Sequence, residues 1–175
     1  MKNYLLLSAF CISTVFGNPS GASVMQGSIA QQETLPGQLT VTADTNFTLI
    51  HWDQFNIREG ERTHFELPSA LAAVINRDTA GLPSHILGEL SCNGTLVILN
   101  PLGIHVGEAG SITANHLLAS ALDTDEQTMF TNKGQLFKGG DGVIDNKGVI
   151  TSKYGDVVLL GNSVRNSGFI CARGG

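Results

Sequence analysis

The sequence predicts an all-β chain wound as a parallel β-helix, and three observations carry that expectation. Charged residues fill only 14% of the 175 positions, while 21 are glycine. That balance suits short strands and tight turns better than helices. From Ile86 onward the pattern is strand, Gly or Asn turn, strand. The last third then repeats itself. Asn146-Lys147-Gly148-Val149-Ile150 returns 20 residues later as Asn166-Ser167-Gly168-Phe169-Ile170, with an imperfect copy at Asn132-Lys133-Gly134-Gln135-Leu136. A period of this size with strand in each copy is what stacked coils require. Asn and Gly suit the bends because both tolerate positive φ. Stacked Asn amides can also bond along the stack. A β-sandwich gives short strands and turn signals too, but the fixed offset favours the β-helix.

The elements follow in order. Met1-Lys2-Asn3 is a small positive start, residues 4–16 are almost wholly apolar, and Gly17, Ser20, Gly21, Ala22 and Ser23 are small. This is the anatomy of a secretory signal peptide, and it is shorter than the ~20 residues of a membrane span. The expected division is a signal peptide at 1–22, with cleavage between Gly17 and Ala22, and one folded domain at 23–175. Residues 28–35 read as extended. Leu39-Thr40-Val41-Thr42 alternates as a half-buried strand does. Asp44-Thr45-Asn46 is a turn, residues 47–52 resume a strand, and Phe55-Asn56-Ile57 continues it. Glu59-Gly60-Glu61 turns the chain into a strand at 63–67, closed by Pro68. Over 69–76 the helix formers Ala70, Leu71, Ala72 and Ala73 compete with a strand face of Leu71, Ala73 and Ile75, and extended structure is expected. Leu96-Val97-Ile98-Leu99 is apolar at every position, as in a strand buried on both sides. Residues 123–128 are polar and read as a loop.

The chemistry-bearing residues are sparse. His51, His64, His85, His105 and His116 form no metal-ligand spacing, and no nucleophile elbow or phosphate loop occurs. No cofactor or metal is expected. Asp123, Asp125 and Glu126 form the tightest acidic group, and no basic residue lies near them in sequence. They read as a solvated loop rather than an acid and base pair. The net charge of -5, with ten scattered Lys and Arg, argues against nucleic-acid binding. Cys92 and Cys171 remain after the leader. Export permits a disulfide, but the favoured reading is two small, half-buried apolar side chains. Asn100-Pro101-Leu102-Gly103 alone is turn chemistry.

Taken in order, seven short motifs resemble one family. They are Trp52-Asp53-Gln54-Phe55-Asn56-Ile57, Phe65, Asn76-Arg77, Ser84-His85-Ile86-Leu87-Gly88, Cys92-Asn93-Gly94, Asn100-Pro101-Leu102-Gly103-Ile104 and Leu117-Leu118-Ala119-Ser120. Over residues 25–175 this order is similar to the N-terminal secretion domain of two-partner secretion exoproteins, the filamentous haemagglutinin and haemolysin type. Leu102 departs from the family pattern, which has a second Asn there, and a separate Asn-Pro-Asn-Leu motif is missing. Cysteines are also unusual in chains that cross a pore unfolded. The last residues, Arg173-Gly174-Gly175, carry no recognisable cap.

The resemblance implies a right-handed, single-stranded parallel β-helix with short flanking antiparallel strands. It implies a secretion signal and folding seed rather than an enzyme. The partner would be the periplasmic domains of a dedicated outer-membrane β-barrel transporter, and the destination the cell surface or medium by way of the periplasm. Host surface glycans or proteins are further candidate partners. The residues expected to serve transporter recognition, or else a structural turn, are Asn100, Pro101, Gly103 and Ile104, followed by Asn76 and Arg77. The rival reading is a polysaccharide-active or glycan-binding β-helix, which would need carboxylates and a basic group on one exposed face.

Overall fold

A computed structural model of the chain describes residues 17–129 and 135–174. Two leading strands, β1 (Ser23–Gln26) and β2 (Ile29–Leu35), pair antiparallel with the first coil. That coil is β3 (Gln38–Ala43), β4 (Phe47–Trp52) and the bend at 55–57. The second is β5 (Arg62–Glu66), β6 (Ala73–Asp78) and β7 (Ser84–Ile86). The third is β8 (Glu89–Cys92), β9 (Thr95–Leu99) and β10 (Gly103–Val106). The fourth runs β11 (Ser111–Ala114) and β12 (His116–Ser120), then leaves the stack at 121–142. This excursion holds β13 (Asp123–Thr124), a 3-10 turn (Glu126–Thr128) and β14 (Phe137–Lys138), before β15 (Val143–Asn146) closes the coil. β16 (Val149–Ser152), β17 (Val157–Leu160) and β18 (Ser163–Asn166) make the fifth, and β19 (Phe169–Ala172) begins another.

The coils stack into three parallel sheets. The first face is ordered β1-β4-β6-β9-β12-β17, the second β18-β15-β10-β7, and the third β19-β16-β11-β8-β5-β3-β2. The predicted parallel β-helix with flanking antiparallel strands is the observed architecture. The interior is filled by in-register columns, because alternate residues of each strand point inward. On the third face Leu90, Ile112 and Ile150 form one such column, each almost wholly buried. Each such side chain contributes about 1.5–3 kcal/mol of burial. At the N-terminal end the column is aromatic: Trp52, Phe55 and Phe65 pack with centroids 6.0–6.4 Å apart.

The repeat has a steric cause as well as the predicted ladder. Asn146 Nδ2 donates to Asn166 Oδ1 at 2.7 Å, so the two repeat asparagines do bond across coils. The glycines were expected to supply positive φ, and they do not. Gly88, Gly110, Gly148 and Gly168 stand immediately before β8, β11, β16 and β19, and none has a positive φ. They are required because the backbones nearly touch. A Cβ on Gly110 would lie 2.1 Å from the Ile86 oxygen, one on Gly148 2.1 Å from the Gly110 oxygen, and one on Gly168 2.2 Å from the Gly148 oxygen. The close approach lets Val149 N–H donate to Gly110 O at 3.0 Å and Phe169 N–H to Gly148 O at 2.8 Å. Of the imperfect third copy, Asn132, Lys133 and Gly134 lie outside the described residues; Gln135 and Leu136 belong to the excursion.

Other expectations sharpen. Of the segment 69–76 expected to be extended, only 73–76 is strand, continuing to Asp78 in β6, and Leu71 does not share its face. It sits in a turn and is 92% exposed. The turn lets Ala72 N–H reach Ser69 O at 3.1 Å instead. Leu96 to Leu99 are fully buried, and both sides of β9 are covered. Leu96 and Ile98 face the main core, while Val97 and Leu99 join Leu49, Ile75 and Met129 in a second cluster flanked by Phe137. The excursion therefore covers the outside of the first sheet, and residues 123–128 are more ordered than a polar loop. Cys92 and Cys171 are free. They sit on β8 and β19, three strand spacings apart, about 14 Å, too far for a bond.

Candidate functional site

The predicted site residues fall at one corner of the stack but on two different sides of the chain. Asn100 lies at the exit of β9 and is 2% exposed. Its Nδ2 donates to Leu82 O and Ser84 Oγ, both at 2.9 Å. Its Oδ1 accepts from Leu102 N–H at 3.0 Å, its carbonyl accepts from Gly103 N–H at 3.0 Å, and its own N–H donates to Ser120 O at 3.0 Å. Ser84 Oγ in turn donates to Asp78 Oδ2 at 2.6 Å, and Phe55 N–H donates to the same oxygen at 3.1 Å. Asn100 is thus the end of a buried polar chain that joins three consecutive coils. Ser84 opens one of the seven motifs but has no role assigned from sequence, and Asp78 is not named there at all; their link to Asn100 comes from the stacking of separate coils.

The turn does not depend on the family's second Asn. Position 102 contributes its backbone N–H to Asn100, and its Leu side chain is 49% exposed at the tip. Gly103 has φ +131, and a Cβ there would meet the Val143 oxygen at 3.0 Å. Only glycine fits that backbone comfortably. Pro101 is half-buried, its carbonyl accepting from Gly142 N–H at 3.1 Å. Ile104 is in the core.

Asn76 and Arg77 separate. Asn76 faces inward, fully buried; its Oδ1 accepts from Trp52 Nε1 at 2.9 Å and its Nδ2 donates to Val97 O at 3.3 Å. Arg77 faces outward beneath the excursion. It donates to Asp123 Oδ1 and lies 3.4 Å from Glu126 Oε2, while His51 Nε2 is 2.9 Å from Glu126 Oε1. No basic residue lies near the acidic group in sequence, but it is not the solvated loop expected: the fold brings Arg77 and His51 to it from β6 and β4, 46 and 75 residues away. With the Arg77 and Glu126 side chains only 18% and 13% exposed, the cluster fastens the excursion over the apolar outer face. Asp125 is committed too, accepting from Gln127 N–H at 3.2 Å. A cleft of about 650 Å³ opens beside it, lined by Arg77, Pro101, Asp123, Asp125, Leu136 and Lys138 among others. Among the described residues no three His, Cys, Asp or Glu side chains gather as a metal cage.

A family model described as the TPS secretion domain matches residues 17–173. The chain belongs to that family. A heme/hemopexin-binding protein of Haemophilus influenzae strain Rd is 33% identical over 165 residues, which are 88% of this chain and 18% of the relative. A second heme/hemopexin-binding protein of Haemophilus influenzae is 28% identical over 118 residues, 67% of this chain and 13% of that protein. The crystal structure of the HMW1 secretion domain from Haemophilus influenzae superposes with a TM-score of 0.82 at 30% identity, covering 89% of this chain and 42% of the other. The chain therefore spans less than a fifth of the curated relatives it matches, and what they bind is a property of those whole proteins. As a TPS domain, it is the secretion domain of a two-partner secretion exoprotein, a class recognised by an outer-membrane transporter and secreted across that membrane. The family is one of secretion domains rather than enzymes.

Proposed function

We propose that the transporter's periplasmic domains read this TPS domain before its coils close, through the segments at Asn76-Arg77 and Asn100-Pro101-Leu102-Gly103-Ile104. One observation supports an unfolded target: Asn76 and Ile104 have no exposed side chain when folded, and Asn100 is 2% exposed. A partner that uses these side chains must meet them in the extended chain. Folding outside then withdraws them into the core, so release and folding are one step. Each closing coil buries apolar area on the last, which makes propagation favourable once a first coil exists.

Export begins with removal of a signal peptide at the early end of the Gly17 to Ala22 window. Residues just after Gly17 bond to the domain: Thr63 Oγ1 donates to Asn18 Oδ1 at 2.9 Å, and Ser20 exchanges backbone hydrogen bonds with Gln54. N-terminal sequencing of exported protein is expected to start at or near Asn18; a start at Ser23 overturns the early cleavage site.

The test of recognition is export through a cognate transporter, compared with folded stability. Asn100→Ala leaves Leu82 O, Ser84 Oγ and Leu102 N–H without their partner and is expected to cost about 2–3 kcal/mol. Pro101→Ala leaves every one of those bonds available and costs far less. Recognition of the extended turn predicts that Pro101→Ala lowers export well beyond its effect on urea unfolding. Export of Pro101→Ala equal to wild type, with Asn100→Ala export falling only in step with stability, leaves the turn a purely structural role.

A further inference from the structure

The second face is where the second and third coils are joined over the shortest span. There β7 and β10 pair over three residues, against five for β6 and β9 on the first face and four for β5 and β8 on the third. On its other side β7 meets the first coil through the isolated bridge of Ile57 to Ile86. The outward row of this face holds groups that change charge near neutrality. Asn56 comes first, its Oδ1 accepting from His85 N–H at 2.7 Å. His85, His105, Asp145 and Arg165 then follow in register on β7, β10, β15 and β18. The two imidazoles lie nearly parallel, 16° apart, with centroids separated by 5.1 Å. Nδ1 of His105 is 4.0 Å from Asp145 Oδ2, a charge contact too long for a hydrogen bond. Glu59, Glu108 and Lys147 are the other charged groups nearby, around a depression at the exits of β7 and β10 that also includes Leu87 and Gly107.

We propose that the stacked His85 and His105 rings are an acid-sensitive fastener between the second and third coils, closed when the rings are neutral and loosened when both carry a proton. Neutral flat rings at this spacing attract. Two imidazolium charges at the same spacing repel. Asp145 stands next to His105 and one strand further from His85, so it offsets one of the two charges. Burial first, and the His85 ring second, hold the His105 imidazole below its ordinary value of 6.5; Asp145 acts upward and Lys147 downward. The unfolded chain therefore takes the proton more readily than the folded chain. The stability that the neutral pair contributes is complete above 6.5 and is lost as pH falls through the lower folded value. Imidazole is the side chain whose ordinary titration falls in this range. The Asn100 Nδ2 to Ser84 Oγ bond spans the same two coils beside His85, so loosening here also opens the Asn100 turn.

The test is urea unfolding of the full chain at about pH 7.5, 6.5 and 5.5, with NMR of the histidine rings across the same range. On acidification the folded-to-unfolded ratio should fall by roughly threefold or more beyond its fall in His105→Gln. His51, His64 and His116 are present in both chains, so their own titrations cancel in that comparison. In the ring spectra, His85→Gln should raise the His105 midpoint and Asp145→Asn should lower it. Amide exchange of the unmodified chain gives the answer even if a variant misfolds. Protection of Gly107 N–H, which donates to Ile86 O at 3.0 Å on the second face, should fall in acid more than that of Thr95 N–H, which donates to Ala72 O at 2.9 Å between the same two coils on the first. The same pH dependence in wild type and His105→Gln, a His105 midpoint that His85→Gln leaves in place, or an equal loss of protection at Gly107 and Thr95 would each overturn the proposal.

Discussion

The stacked coils and the excursion at 121–142 are held by opposite means. In the stack, the same few contacts recur at each level: a corner glycine under the backbone of its neighbour, an inward apolar column, and an in-register ladder. Each contact joins coils that are adjacent, so its effect is shared through nearest neighbours. The excursion rests on a handful of unrepeated side-chain links, with Met129 and Phe137 on the outer apolar face and Asp123 and Glu126 on Arg77 and His51. The difference teaches that one molecule can carry a fold that tolerates little change in its corners beside a cover fastened by single apolar and charged contacts.

The hardest test of the stack is Gly110→Ala. The added Cβ would fall 2.1 Å from one backbone oxygen and 3.0 Å from another, neither of which is a flexible side-chain end. A loss of about 3 kcal/mol or more is expected by urea unfolding. Gly60→Ala is the control for glycine itself, since its φ is +81 but nothing lies within 4 Å; it should cost only about 1 kcal/mol. Equal losses would mean that backbone conformation, not close approach, accounts for the corner glycines.

A smaller effect probes the inside of the same stack by pH. Burial raises the Cys92 thiol from 9.0 to about 11, against a lowering hydrogen bond from Gly94 N–H. Between those values the unfolded chain releases the proton and the folded chain keeps it, so stability falls as pH rises. The expected loss is about 2–3 kcal/mol, complete near pH 11 and absent below pH 9. Comparing wild type with Cys92→Ala isolates it from the lysines and tyrosines that titrate in the same window. Identical pH profiles would show that Cys92 is not held in the core as described.

The least effect on global stability is expected from Arg77→Ala. Losing the links to Asp123 and Glu126 should cost about 1 kcal/mol and make the remaining attachment of the excursion easier to open. Limited proteolysis is expected to cut within 121–142 faster than in wild type, while cleavage in the coils stays unchanged. High salt should reproduce part of the effect in wild type, because the Asp123 carboxylate is half exposed and exposed charge pairs are screened. Proteolysis of the coils at the same increased rate would mean that the excursion and the stack unfold as one unit.

The sequence by itself determined the winding. Its 20-residue return of Asn, Gly and Ile specifies the length of the fifth coil, because in-register stacking there brings Asn146 to Asn166 and Ile150 to Ile170; the earlier coils are longer. Leu96 to Leu99 likewise announced a strand covered on both sides. The seven ordered motifs gave the family and with it the secretion role. What only the tertiary structure decided was which side of the chain each candidate residue serves. Asn76 and Arg77 are adjacent in sequence, yet one sits in the core against Trp52 and the other on the outer face against Asp123. Nothing local distinguishes them, since a strand alternates its sides and the side is fixed by register with other coils. The same limit hid the partners of the acidic group, which reach it from strands β4 and β6. It also hid the reason for the corner glycines, which lies in the backbone of the next coil rather than in their own φ.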